Sequence, residues 1–212
     1  MSAIRTGKFI TLEGGEGVGK STQLKALAEA LRGRCLSVVT TREPGGTAGA
    51  EAIRALLMTG EADKWSARAE ALLFAAARAD HVEKLIRPAL ARGDWVLCDR
   101  YIDSTRAYQG GAGGMNDADI MTLHRLGAAL MPDRTLYLKL DVTVGNYRAM
   151  VRDGEFFADR FASQSSGYHA KLNLAFDHLA SAEPQRIIGV DASGTPDEVT
   201  ARLLNALDDL LP

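Results

Sequence analysis

Cysteine is scarce in this sequence. Cys35 and Cys98 are the two among 212 residues, too few for a disulfide framework. Both fall in apolar, strand-like strings (CLSVV and WVLCD), where a thiol is expected as a small buried hydrophobe. Long apolar runs are missing as well. The longest, ALLFAAA, is far short of the ~20 residues that cross a bilayer. The amino terminus, MSAIRTGK, lacks the apolar core of a signal peptide, so the cytoplasm is the expected compartment. No run of lysine and arginine occurs, and the net charge is −2. Neither a nucleic-acid footprint nor a membrane surface is indicated. Repeats, low-complexity tracts and linkers are absent too. A chain of this length with 46% hydrophobic and 25% charged residues reads as one α/β domain over 1–212.

What is present is alternation. Apolar strings at 8–13, 35–40, 95–99, 134–141 and 186–191 are separated by segments with helical spacing. Leu24, Leu27, Ala28 and Leu31 share one helical face, and Gly33 supplies a stop. The spacing predicts a long helix from about 66 to 90, with Leu72, Leu73, Ala76, Val82 and Ile86 near one face. Further helices are predicted after Asn116 and over about 142–152. A last one starts at TPDE, where Thr195 and Glu198 can form a capping box with Pro196 in the first turn. Strand alternating with helix implies a parallel sheet, here of five strands, covered by helices on both faces. Functional residues then belong at the carboxyl ends of the strands. Glu13, Arg42, Glu43, Asp99, Arg100 and Asp141 all lie there. The glycine-rich YQGGAGG (108–114) is expected as a mobile loop.

GGEGVGKST, from Gly14 to Thr22, matches GxxxxGK[ST] between a strand-like and a helix-like segment. Its glycines let backbone N–H groups turn inward around phosphate oxygens, and the helix that follows adds its positive end. The cradle comprises Gly14, Gly15, Glu16, Gly17, Val18, Gly19, Lys20, Ser21 and Thr22. Lys20 can bridge the β- and γ-phosphates of a nucleoside triphosphate, ATP or GTP, and Ser21 can offer its hydroxyl to Mg²⁺. A switch GTPase is disfavoured. LKLD (138–141) lacks the asparagine of a guanine-reading NKxD, and DASG (191–194) stands in the wrong order for a switch motif. A motor is disfavoured by chain length, which leaves a small phosphotransferase.

Two further clusters follow strands: TREPGGT (41–47) and DRYIDSTRAYQG (99–110). Asp99 can hold Mg²⁺ or orient an attacking oxygen, and Arg100 can pair bidentately with an acceptor phosphate. On residue chemistry alone, an Asp–Arg ion pair or a cap at a strand-to-helix turn serves equally.

Taken with LLFAAARADH and PDRTLYLKLD, these motifs occur in the order and spacing of bacterial thymidylate kinases, which the chain resembles over nearly its whole length. The resemblance implies a P-loop, nucleoside-monophosphate-kinase-like fold, ATP with Mg²⁺, dTMP as acceptor, and a homodimer. It implies that Phe74 stacks on thymine and that Arg78, one helical turn on, donates to thymine O4. Thr105 and Gln109 would meet the base edge, and Tyr108 would exclude a ribose 2′-hydroxyl. Arg54 and Arg100 would hold the dTMP phosphate, Glu16 the sugar 3′-hydroxyl, and Glu43 either Mg²⁺ water or the acceptor. By spacing alone, Arg54 equally suits a surface pair with Glu51, and Phe74 a place in the core.

Within the resemblance, the charge at the transferring group comes either from a P-loop arginine or from a lid after the fourth strand. This P-loop has none. The expected lid, about 148–165, carries Arg148, Arg152 and Arg160 in NYRAMVRDGEFFADRF, and Arg152 and Arg160 are the favoured catalytic pair beside Lys20, Asp99 and Arg100. The segment departs from the family's RARARGELDR: Met150 stands at its middle arginine. Two alternatives stay open, another nucleotide kinase (on dUMP or a different monophosphate) and a nucleotide-binding protein without transfer.

Overall fold

The structure, a computed structural model, describes residues 7–61, 63–153 and 166–212. Among these, five parallel strands form one sheet: β1 (Phe9–Glu13), β2 (Val38–Arg42), β3 (Trp95–Asp99), β4 (Arg134–Lys139) and β5 (Ile187–Asp191), in the order β2-β3-β1-β4-β5. The register brings the strand ends level. Leu12 and Arg42 both lie opposite Asp99, and Glu13 lies opposite Tyr137. The acids and arginines that follow β1, β2 and β3 therefore share one edge, as expected for an open parallel sheet.

The helices are α1 (Lys20–Gly33), α2 (Ala48–Met58), α3 (Ala67–His81), α4 (Arg87–Ala91), α5 (Ile102–Thr105), α6 (Asp117–Gly127), α7 (Val142–Asp153), α8 (Ser166–Ala182) and α9 (Pro196–Asn205). One sheet face meets α1 and α9 through Leu27, Leu31, Val199 and Leu203, packed on Ile10, Leu12 and Leu136. The other meets Val82, Ile86, Ile102 and Ile120, packed on Phe9, Val96 and Cys98. Alternate β1 side chains thus go to opposite layers, and burying each large aliphatic contributes about 1.5–3 kcal/mol. The start of α9 follows its sequence signal: Thr195 Oγ1 accepts from Glu198 N–H, and Glu198 Oε2 accepts from Thr195 N–H at 2.8 Å.

Four expectations are corrected. β2 begins at Val38, because α1 ends at Gly33 and the chain turns through Cys35 at φ 60°. Cys35 is therefore exposed, whereas Cys98 is buried in β3. The 66–90 helix is α3 and α4 joined by a π-helical turn at Val82–Ile86, and Leu72 and Ala76 point outward. Its buried face carries Glu70, Ala71, Ala77, Arg78 and His81 instead. The glycine-rich segment is no loose loop. Arg106–Ala112 is π-helical, with Tyr108, Gln109 and Gly110 buried, and it packs with Leu172 and Phe176 of α8. The sequence reading also passed over α8 itself.

Asp103 ties this region to the sheet. It is fully buried and accepts from Arg186 Nη1 at 2.6 Å, Thr135 Oγ1 at 2.9 Å and Arg106 Nη1 at 3.2 Å. Burial opposes its charge, but Arg186, Arg106 and Thr135 prevail and hold its carboxyl below the usual range.

Candidate active site

The donor half begins where β1 ends. Gly14 adopts φ 138°, and a Cβ there would lie 2.7 Å from the Leu138 carbonyl oxygen, so only glycine lets the chain turn. The loop then feeds α1, whose N-cap, Gly19, offers no side-chain cap and whose first turn holds no acid. Its first N–H groups are left for an external anion. Lys20 is buried, with Nζ donating to Gly15 O at 2.6 Å and Gly14 O at 3.1 Å. Burial, and then the Arg100 cation, push its ammonium down to about 8.

Ser21 Oγ donates to Asp99 Oδ2 at 2.9 Å. The other oxygen, Asp99 Oδ1, is buried and has no hydrogen-bond partner among the described residues. An orphaned carboxylate oxygen beside a hydroxyl fits Mg²⁺, which takes one or two protein oxygens and completes its octahedron with phosphate and water. The residues present therefore suit the ion.

A cleft of ≈ 580 Å³ runs over this loop. It is walled by residues 16–23, by Asp99 and Arg100, and by Arg148 from α7. Ala192 and Gly194 of the β5–α9 connection, with Pro196 and Val199 of α9, add an apolar wall. Spacing gave no sign of this wall, since small residues after a strand carry no chemistry of their own.

The acceptor half is a second pocket of ≈ 80 Å³. Glu16, Glu43, Arg54, Phe74, Arg78, Arg100, Thr105 and Tyr108 all line it, joined by Pro44, Met58 and Tyr101, which sequence reasoning missed. Four residues, Glu16, Glu43, Arg54 and Arg100, line both cavities, so these side chains stand between the two spaces. Gln109 is absent from the lining. It is 1% exposed and its Nε2 donates to Glu70 Oε2 at 3.0 Å. Arg54 donates to Pro44 O at 2.9 Å, while Glu51 accepts from Arg42 at 3.0 Å and also feels the Arg54 cation, which helps the Gly46 N–H and Arg42 to lower its carboxyl. The side chain of Arg152 and the whole of Arg160 lie outside the described residues.

Arg100 sits at the junction in a left-handed conformation, φ 67°, which costs a non-glycine residue about 1–2 kcal/mol. Its neighbours hold it there. Its N–H donates to Leu12 O at 3.0 Å. Nη1 reaches Gly14 O at 3.2 Å and Ser104 Oγ at 3.3 Å, and Nη2 makes a short bond to Glu16 Oε1. The guanidinium lies 5.0 Å from the centre of the Tyr108 ring, whose hydroxyl also donates to Glu16. Burial works against its charge, but Glu16, Tyr108 and Asp99 outweigh that and strengthen the cation.

Glu13 lies beneath and was not singled out for a role. Its Oε1 accepts from Tyr101 N–H at 2.7 Å and Ser104 N–H at 3.3 Å, and its Oε2 accepts from Ser104 Oγ at 2.5 Å. Burial first, then the Asp103 carboxylate, push it up to about 7 against the pull of these bonds and of Arg100. Deeper in the acceptor pocket, Arg78 is 2% exposed; Nε donates to Glu43 Oε2 at 2.8 Å and Nη2 to Thr105 Oγ1 at 3.0 Å.

The arrangement is a phosphate cradle open to a long cleft, a small pocket with one aromatic wall and buried donors, and fixed cations between them. Fixed cations beside a phosphate cradle suit the positioning and charge stabilisation of phosphate groups. A family profile described as thymidylate kinase matches residues 12–203. The thymidylate kinase of Rhizorhabdus wittichii is 58% identical over 207 residues, 97% of this chain and 99% of that protein. That of Afipia carboxidovorans is 48% identical over 206 residues, 97% of this chain and 90% of that one. The crystal structure of thymidylate kinase from Ehrlichia chaffeensis matches with a TM-score of 0.78 at 30% identity, covering 95% of this chain and 99% of that chain.

Proposed function

The chain belongs to the thymidylate kinase family and is a dTMP kinase; from its two adjoining cavities we propose how it performs that reaction. The observation that supports the proposal is the set of four residues common to both cavities, among them Arg54 and Arg100, whose charge would act on donor and acceptor phosphates alike.

ATP is the donor. Its phosphates lie on the loop from Gly14 to Thr22, and its base lies against the apolar wall of Ala192 and Val199. Lys20 contacts the β- and γ-phosphates. Ser21 and Asp99 would hold Mg²⁺, which would supply positive charge against the donor phosphates. The dTMP base enters against Phe74, with Arg78 and Thr105 at its edge and Tyr108 beneath the sugar, while Arg100 and Arg54 hold its phosphate. An acceptor phosphate oxygen is already anionic, so attack on the γ-phosphorus needs no strong base. The demands are in-line placement and charge stabilisation. One P–O bond forms to dTMP, the bond to the bridging oxygen breaks, and ADP leaves. Arg152 or Arg160 supplies the remaining positive charge, as in members whose P-loop lacks arginine.

Two broader readings belong with this one. A homodimer is supported by Leu56, Leu72 and Leu126, 48%, 51% and 81% exposed, on three helices that pack as α2 on α3 and α3 on α6. Isolated exposed leucines are ordinary, but three on one helical layer suit an interface. A cytoplasmic setting accords with the absence, among the described residues, of any helix long and apolar enough to cross a membrane.

The test is ADP release with Mg²⁺ and ATP against dTMP, dUMP, AMP, CMP and no acceptor. Turnover concentrated on dTMP is expected. ADP release indifferent to the acceptor contradicts the two-cavity reading.

A further inference from the structure

One buried chain of polar groups extends beyond the residues that line the pocket. Thr41, on β2, lies 2.7 Å from His81 Nε2; His81 Nδ1 donates to Glu43 Oε1 at 3.0 Å; Glu43 Oε2 accepts from Arg78; and Arg78 reaches Thr105. His81 is 0% exposed and lines neither cavity. A histidine this far from solvent has no direct part in binding.

Its effect lies in what it fixes. An arginine side chain has many rotamers to lose, so using it to read a small base edge requires that it be held beforehand. Glu43 fastens Nε, Thr105 fastens Nη2, and the Tyr101 ring lies 5.0 Å from the guanidinium carbon. That leaves Nη1 as the guanidinium nitrogen with no hydrogen bond among the described residues. Glu43 can hold Nε in one direction only if its own carboxylate cannot rotate, and His81 is the group on its other oxygen. Thr41 in turn anchors the ring to the sheet. The turn at Gly46 closes over this contact. A Cβ there would lie 2.6 Å from His81 Nε2 and 2.5 Å from Thr41 Oγ1, at φ 87°. Beside it, Thr47 Oγ1 donates to Asp80 Oδ2 at 2.5 Å. The last two residues of α3 thus grip the turn that presents Glu43.

We propose that His81 is a positioning residue for base selection, fixing the Arg78 guanidinium through Glu43 so that the pocket favours a pyrimidine with an acceptor at position 4 over one with an amino donor there. The inference rests on the reading that Arg78 faces the base. A donor held in place rewards a carbonyl oxygen and is opposed by an amino group. A donor free to swing aside discriminates less.

The experiment measures kcat/KM for dTMP and for 5-methyl-dCMP, which keeps the methyl group and replaces O4 with an amino group. The ratio is insensitive to the fraction of folded enzyme and to general loss of turnover, which a merely structural role would change. Arg78→Gln should collapse the ratio. His81→Leu should lower it about tenfold, the scale of one hydrogen bond to a charged group, and His81→Asn, whose amide can still donate to Glu43, should restore most of it. Thr41→Val keeps the ring and removes its anchor; it should shift the ratio the same way by less, and it carries the test should His81→Leu not accumulate. A ratio unchanged in the His81 and Thr41 variants, with Arg78→Gln collapsing it, overturns the positioning role. A ratio unchanged in Arg78→Gln overturns the base-facing reading, and the inference with it.

Discussion

Replacing Glu13 with glutamine gives a pH-dependent effect whose size follows from the structure. The carboxyl is fully buried under the Arg100 turn and moves from about 4.5 to about 7 on folding. Because the folded value lies above the unfolded one, the protonated form favours the fold. That contribution is complete below about pH 4.5 and is lost as pH rises through about 7. The groups acting on it are the Asp103 carboxylate, which raises it, and Arg100, Ser104 and the Tyr101 N–H, which lower it. Glutamine imitates the protonated acid, and Ser104 Oγ can rotate to accept from its amide, so the loop geometry survives. Between about pH 5.5 and about pH 8.5 the wild type should lose about 2 kcal/mol more stability through this site than Glu13→Gln does. Urea unfolding of both proteins at the two pH values measures the change in their gap. A gap that stays constant, or that moves in favour of the wild type at high pH, refutes the reasoning that burial dominates at Glu13.

Three further outcomes follow from other parts of the molecule. Among Arg152→Ala and Arg160→Ala, at least one should lose more than about tenfold in kcat at saturating substrates, equivalent to ~1.4 kcal/mol of barrier; if neither does, the lid assignment is wrong. Asp103→Ala leaves Arg186 without its buried partner and should cost about 3 kcal/mol or more in urea unfolding; a cost below about 1 kcal/mol would show that the network is no stronger than a surface pair. If the proposed homodimer forms through this face, Leu72→Glu or Leu126→Glu should sediment closer to a monomer than the wild type does, and an unchanged boundary would remove this face as the interface.

The legible parts of the sequence were those where one residue type has one physical use. The loop from Gly14 to Thr22 could be read directly, because glycines, a lysine and hydroxyls between strand and helix have few other reasons to coincide. The capping box at Thr195 and Glu198 was read for the same reason. Apolar periodicity misjudged the inner face of α3, since Glu70, Arg78 and His81 are buried through mutual pairing and not through hydrophobicity. Leu72, which the pattern turned inward, faces out. Gly110 and its neighbours looked like a loop by composition, yet α8 packs on them, and tertiary packing overrode local preference. Cys35 and Leu36 have strand-like character, but the end of α1 requires a turn there. Glu13 and His81 went unassigned because each acts through a neighbour, and a residue that holds another leaves no motif of its own.

The central claim is that the donor cleft and the acceptor pocket meet at Arg100, which holds the acceptor's phosphate. Titration calorimetry of dTMP and of thymidine, with wild type and with Arg100→Ala, tests it directly. The account predicts that the variant loses about thirtyfold or more in affinity for dTMP, as for charge-assisted bonds removed from a buried site, and keeps its affinity for thymidine within a few-fold. Equal losses for both ligands, or no loss for dTMP, would contradict it.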